Sequence, residues 1–196
     1  AIIIVHLYGC PANITKIMNI KKKYNLYLIE DCAEAIGSYY KNKHVGLFGD
    51  VGTFSFYGNK TISTGEGGMV VYKKKKYFNK AKLIKNHGMS DKKRYFHSYF
   101  GSNFRMTNIQ AAIGLAQLEK YKTIIQKKNK LNKIYINAFK DCKSISFIKS
   151  TKNKINSYWL FNILINESSK IQRDKVIKLL KRDGIDVRRG FYSANE

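Results

Sequence analysis

No apolar stretch in this chain comes near the roughly 20 residues needed to cross a bilayer. The longest runs, Ala1 to Val5 and Tyr158 to Ile165, are far shorter, and no signal peptide is visible. A membrane partner is therefore not expected, and a cytoplasmic setting is. Cysteine is scarce: Cys10, Cys32 and Cys142 are widely spaced and form no CxxC pair. An odd, dispersed set supports neither a disulfide framework nor a zinc site. His6, His44, His87 and His97 are equally scattered, so no metal is expected. Acidic residues are few, 13 against 37 Lys and Arg, which leaves a net charge of +24. Such a charge can mark a nucleic-acid partner. Here Lys, Ile, Asn and Tyr are over-used together while proline occurs once, the joint bias of an AT-rich coding sequence. Tight basic runs such as Lys21 to Lys23 and Lys73 to Lys76 carry no recognised nucleic-acid motif. The charge is accordingly read as solvated helix faces, with no nucleic-acid partner.

What is present suits a core: 44% hydrophobic and 13% aromatic residues over 196 positions, enough for one domain, or for one and part of a second. Ala1 to His6 is a β-branched run with no preceding cap or turn, read as a buried strand in a chain that starts inside a domain. A helix is expected over Asn13 to Lys23, then a strand over Asn25 to Ile29 ending in Glu30 and Asp31. Strand, helix, strand predicts a right-handed crossover and an α/β fold with a mostly parallel sheet, functional groups lying at the strands' carboxyl ends. Further strands are expected at Thr53 to Tyr57 and Met69 to Tyr72, with Lys60 and Glu66 on the connection between them. Thr107 to Phe139 reads as helical with a bend near Lys122. Beyond it come a strand at Tyr158 to Ile165, a helix at Arg173 to Arg182 stopped by Gly184, and a strand at Ile185 to Arg188. The helix's apolar face includes Ile171. The domains are placed at residues 1–120 and 121–196, joined near Tyr121.

Lys60 follows a strand, with Ser55 five residues earlier and Asp31 twenty-nine earlier at another strand end. A pyridoxal phosphate site needs an amine for the imine, a carboxylate for the pyridine nitrogen and hydroxyls for the phosphate. Lys60, Asp31 and Ser55 are one of each, although each alone reads as structural: a surface lysine, a capping or ion-paired aspartate, a strand serine. Gly65 to Gly68 lacks the Lys-Ser/Thr of a phosphate-binding loop and reads as a tight turn needing positive φ.

Five motifs stand in order: Glu30 to Gly37, Phe54 to Lys60, Gly65 to Gly68, Asn86 to Gly88, and Gly101 to Ala112. The chain resembles the DegT/DnrJ/EryC1/StrS sugar aminotransferases over essentially its whole length, Asp183 to Arg188 included. The resemblance implies a fold-type I pyridoxal-phosphate-dependent transferase, with a partial large domain and part of an α+β C-terminal domain. It implies that Lys60 carries the cofactor as a Schiff base and shuttles the proton. It assigns Asp31 to the pyridine nitrogen, Glu34 to the neighbourhood of the phenolic oxygen, and Ser55 to the phosphate. Glu34, often Gln in relatives, is expected to be protonated or well paired. Asn103 would reach the phosphate of the neighbouring subunit's cofactor in a homodimer. His87 and Arg105 are either substrate-side or structural. The implied reaction moves an amino group, from glutamate, to a nucleotide-linked keto-sugar. Gly58 to Ile62 and Arg105 to Asn108 resemble most the members that act on GDP-4-keto-6-deoxymannose to give GDP-perosamine.

Two departures accompany the resemblance. Members of the family are about twice as long, their N-terminal portion supplying further phosphate contacts and a stacking aromatic ring. Many also carry a Pro and a His where this chain has Ser193 to Glu196. A fragment or interrupted gene product is therefore expected. The rivals of the aminotransferase reading are an inactive truncated remnant that partners an intact subunit, a basic nucleic-acid-binding module, and a dehydratase of the same fold. Lys60 weighs against the last, because dehydratase relatives replace that lysine.

Overall fold

The structure, a computed structural model, describes residues 1–166 and 172–192. Ile171 and the segment Ser193 to Glu196 lie outside the described residues. The opening β-branched run forms β1 (Ile2–Val5), followed by a tight turn at Leu7–Gly9, α1 (Ile14–Lys23) and β2 (Leu28–Asp31). Asn13 caps α1 by accepting the Lys16 N–H at 3.2 Å, and Lys21, Lys22 and Lys23 occupy the last turn, where the helix dipole favours cations. The strand expected from Asn25 starts only at Leu28, because Asn25 still turns the chain at φ 48°.

A short hairpin, β3 (Tyr39–Tyr40) and β4 (Lys43–His44), precedes β5 (Val51–Ser55) and β6 (Gly68–Tyr72). One four-stranded sheet has the order β1-β2-β5-β6, its first three strands parallel and β6 antiparallel on an edge. The sheet is thus mixed and mostly parallel. Ile14, from α1, packs with Ile4, Leu28 and Tyr40 in one buried cluster, and Cys32, Ala35 and Val45 form a second.

After α2 (Lys75–Ile84), the long helical region consists of α3 (Asn108–Glu119) and α4 (Tyr121–Ala138). They part at Lys120, and Thr107 and Gln110 close a capping box at the start of α3. The remaining elements are β7 (Ile145–Phe147), β8 (Lys154–Ile155), β9 (Ile163–Ile165) and α5 (Arg173–Arg182). Among the described residues no helix is long and apolar enough to cross a membrane.

By compactness the chain divides into two units, Ala1–Tyr135 with Lys149–Phe161, and Ile136–Ile148 with Asn162–Glu196. In the first, β8 adds to β3 and makes a three-stranded sheet, β4-β3-β8. In the second, β7 and β9 pair antiparallel. Two strand expectations fail. Of Tyr158 to Ile165 only Ile163–Ile165 is strand, because Tyr158 turns at φ 52° and its neighbours Ser157 and Trp159 are buried in the first unit. Ile185 to Arg188 finds no strand partner among the described residues.

A candidate active site around Lys60

The pleat divides the residues at the end of β2 between two faces. Asp31 pairs in register with Thr53, so Asp31, Thr53 and Ser55 share one face while Glu30 and Gly52 share the other. A Cβ on Gly52 would collide with the Gly46 carbonyl, so glycine there lets the turn before β5 close onto the sheet. Glu30, fully buried, fills the space beneath. Its Oε1 accepts the N–H groups of Phe48 at 2.7 Å and Gly49 at 2.6 Å. Its Oε2 accepts from Gly46 at 2.8 Å and from His6 Nε2 at 3.1 Å. Because His6 Nδ1 accepts the Ala12 N–H, Nε2 carries the proton that it donates. Burial pushes the Glu30 carboxyl up, but the bonds from His6, Gly49 and Gly46 outweigh it and hold the group below the usual carboxylate range.

His6, Glu30 and Cys32, scattered by their sequence spacing, bring ligand-type atoms within 4.8 Å of one another. The His6 and Glu30 atoms are already committed to the bonds above, and Cys32 Sγ donates to the Glu30 backbone carbonyl at 3.8 Å. Cys32 is a buried thiol, held far above its ordinary pKa by burial and by the charges of Glu30 and Asp31. The cluster is a clamp on the strand ends.

On the opposite face, Asp31 Oδ1 accepts the Ala33 N–H at 2.9 Å, and Oδ2 takes no hydrogen bond from the described residues. Glu34 lies at the start of the turn that follows. Its Oε2 accepts the Tyr8 N–H at 2.6 Å, and its Oε1 lies 3.9 Å from Lys60 Nζ. Burial pushes the Glu34 carboxyl above its ordinary range, opposed by the Tyr8 N–H and the Lys60 charge and aided by Asp31. Lys60 is 14% exposed at its side chain, with Nζ 4.2 Å from the centre of the Trp159 ring. Its backbone N–H closes a turn onto the Tyr57 carbonyl.

Ser55 ends β5, where its Oγ accepts the Tyr57 N–H at 3.3 Å and turns the chain out of the sheet before the expected strand end at Tyr57. The hydroxyl proton has no acceptor among the described residues. In the glycine bend, Gly65 has φ 79° and Gly67 φ 146°, and Thr64 Oγ1 donates to the Glu66 carbonyl. α3 steadies this loop through Gln110 Nε2 to the Glu66 carbonyl at 3.0 Å, and through Gln117, which bonds Ser63 at both its N–H and carbonyl.

His87, Asn103 and Arg105 form a separate group on the connection from α2 to α3. The His87 N–H donates to the Ser102 carbonyl, Asn86 bridges Asn103, and Asn103 Oδ1 accepts from Arg105 Nε at 3.3 Å. Asn103 and Arg105 are exposed, and no hydrogen bond or ion pair joins any of the three to Lys60. Sequence reasoning passed over Tyr8, Trp159 and the His6–Glu30 pair. The single tryptophan was the one available signal.

A mostly parallel sheet bearing a lysine on the connection beyond β5, and a carboxylate at the end of β2, is the architecture of fold-type I pyridoxal-phosphate-dependent enzymes. The chain belongs to the DegT/DnrJ/EryC1/StrS aminotransferase family, whose description matches residues 1–196. It is 44% identical over 195 residues to the GDP-perosamine synthase of Escherichia coli O157:H7, covering 98% of this chain and 52% of that protein. To the GDP-perosamine synthase of Vibrio cholerae it is 42% identical, covering 100% of this chain and 53% of the relative. The structure of Helicobacter pylori PseC, an aminotransferase involved in the biosynthesis of pseudoaminic acid, superposes with a TM-score of 0.87 at 32% identity. That match covers 94% of this chain and 50% of PseC. The chain spans about half the length of the curated relatives it matches.

Proposed function

We propose that the chain forms the lysine-bearing part of a pyridoxal-phosphate-dependent aminotransferase that passes an amino group from glutamate to GDP-4-keto-6-deoxymannose, yielding GDP-perosamine. The observation that carries this reading is the placement of Lys60 Nζ, largely shielded and 3.9 Å from a carboxyl on the same segment as Asp31. The donor set fits the cofactor: Asp31 has an unused carboxylate oxygen, and the Ser55 hydroxyl has a proton to give. When bound, pyridoxal phosphate supplies an electron sink for the carbon bearing the migrating amino group.

Lys60 would hold the cofactor through Nζ and would move the proton exchanged with the reacting carbon. Asp31 Oδ2 would keep a proton on the pyridine nitrogen. Glu34 would face the phenolic oxygen with a carboxyl that burial holds above its ordinary range, and Ser55 Oγ would donate to the phosphate. Asn103 lies on an exposed segment and serves the phosphate in a partner subunit, so the working form is a homodimer. His87 and Arg105 serve the sugar nucleotide side of the site. The cytoplasmic setting expected from the sequence goes with this reading.

The first test needs only this chain. Adding pyridoxal phosphate is expected to produce a visible absorption band that Lys60→Ala abolishes, and borohydride reduction is expected to fix the label on Lys60. A label distributed over surface lysines, with the band unchanged in Lys60→Ala, would refute the assignment. The 44% relative's name supports the sugar, and incubation of the complete protein with glutamate and the GDP-linked keto-sugar tests it.

A further inference from the structure

Trp159 is the only tryptophan in the chain and reaches Lys60 from a segment far away in sequence. Residues Lys149–Phe161 belong to the first compact unit although Ile136–Ile148 does not. The returning segment is tied down at Ser157, whose backbone N–H donates to Ser38 Oγ at 3.2 Å and whose hydroxyl lies 2.9 Å from the same atom. Tyr158 then adopts a left-handed conformation, with its N–H bonded to Asn156 Oδ1 at 2.7 Å. A non-glycine residue in that region is uncommon and strained, and here it lets both Ser157 and Trp159 be buried.

Around Trp159 the contacts close on themselves. Its indole N–H donates to the Asn59 carbonyl at 2.8 Å, fixing the backbone next to Lys60. Its ring face lies 4.2 Å from Lys60 Nζ. The Tyr8 ring stacks on it at 6.4 Å with an interplanar angle of 12°. The Tyr8 N–H holds Glu34 Oε2, and Glu34 Oε1 faces Lys60 Nζ again. A free lysine side chain has many rotamers, and a ring face with a facing carboxyl confines its amine to one place.

We propose that Trp159 is a positioning residue for Lys60, its ring face holding the amine at Glu34 and its indole N–H fixing the backbone through Asn59. The inference rests on reading Lys60 as the reactive lysine, but its test uses no cofactor. Acylation of lysines by a small activated ester, followed peptide by peptide by mass spectrometry, compares Lys60 with Lys21, which is similarly shielded and paired with Asp50. Trp159→Leu is expected to raise the rate at Lys60 by about two- to tenfold, the worth of a cation–π contact, with Lys21 unchanged. Trp159→Phe keeps a ring face and stays within about twofold of the parent. Equal Lys60 rates in the parent chain and Trp159→Leu overturn the proposal. If Trp159→Leu loosens the whole fold, shown by a matching rise at Lys21, the emission of Trp159 itself decides. Lys60→Met keeps the stem and removes the charge, and is expected to shift the indole emission maximum; an unchanged spectrum overturns the proposal. Failure to bind pyridoxal phosphate would count against the proposed function and leave both of these readouts standing.

Discussion

Glu30 and Glu34 occupy one short segment, yet their surroundings move them in opposite directions. The Glu30 carboxyl is more acidic folded than unfolded. Its contribution is therefore whole above the ordinary glutamate pKa of about 4.3 and is lost as pH falls through the folded value. Glu30→Gln cannot accept all four donors and is expected to cost about 2–4 kcal/mol at neutral pH, with a flatter acid limb, in urea melts from pH 3 to 7. Glu34 has the reverse sign. Its raised pKa means that its contribution is present below the unfolded value and is lost as pH rises through the folded one. Glu34→Gln is expected to melt at or above the parent temperature at pH 8, the difference closing towards pH 4. The placement of Asp31 and Ser55 at strand ends, and of Lys60 on the connection beyond β5, was legible because each sits in a contiguous motif. Glu30 was not, since three of its four partners are backbone amides, which leave no mark on a sequence. Trp159 was not, because nothing periodic links it to Asn59 across 100 residues.

The elements read correctly are those with a local signal at both ends. α5 has helical spacing and a glycine stop, with Gly184 at φ 80°, and its bounds match the expectation. The bend in the long helical region falls at Lys120, close to the expected Lys122, because the break interrupts a continuous apolar face. The hairpin of β3 and β4 was missed: its turn places Lys41 and Asn42 at φ 46° and 63°, and lysine is not a usual residue for that conformation. Tyr158 to Ile165 misled for a different reason, since its apolar residues serve a buried anchor and then a separate short strand. α3 also steadies the loop beyond Lys60. Gln117→Ala removes two hydrogen bonds to Ser63 and is expected to cost about 1–2 kcal/mol, with faster amide exchange over residues 61–67 as the specific sign. Unchanged exchange there would separate the helix from the loop.

A net charge of +24 works against compactness in the molecule as a whole. Screening falls from a range of about 30 Å at 0.01 M salt to about 8 Å at 0.15 M. The melting temperature is therefore expected to rise by roughly 2–6 °C over that interval, measured by differential scanning calorimetry. A flat response would mean that the lysines are neutralised by partners of their own. Fold class was legible at this scale because strand and helix alternate early in the chain. The discontinuity of the first unit was not, since it depends on Ser157 and Trp159 finding Ser38 and Asn59.

That discontinuity orders events during synthesis. Asn59 leaves the ribosome 100 residues ahead of Trp159. At about 5–20 residues per second, the nascent lysine loop waits roughly 5–20 s for the ring that is to support it. A ligand or chaperone arriving in that interval meets a loop still lacking its last wall.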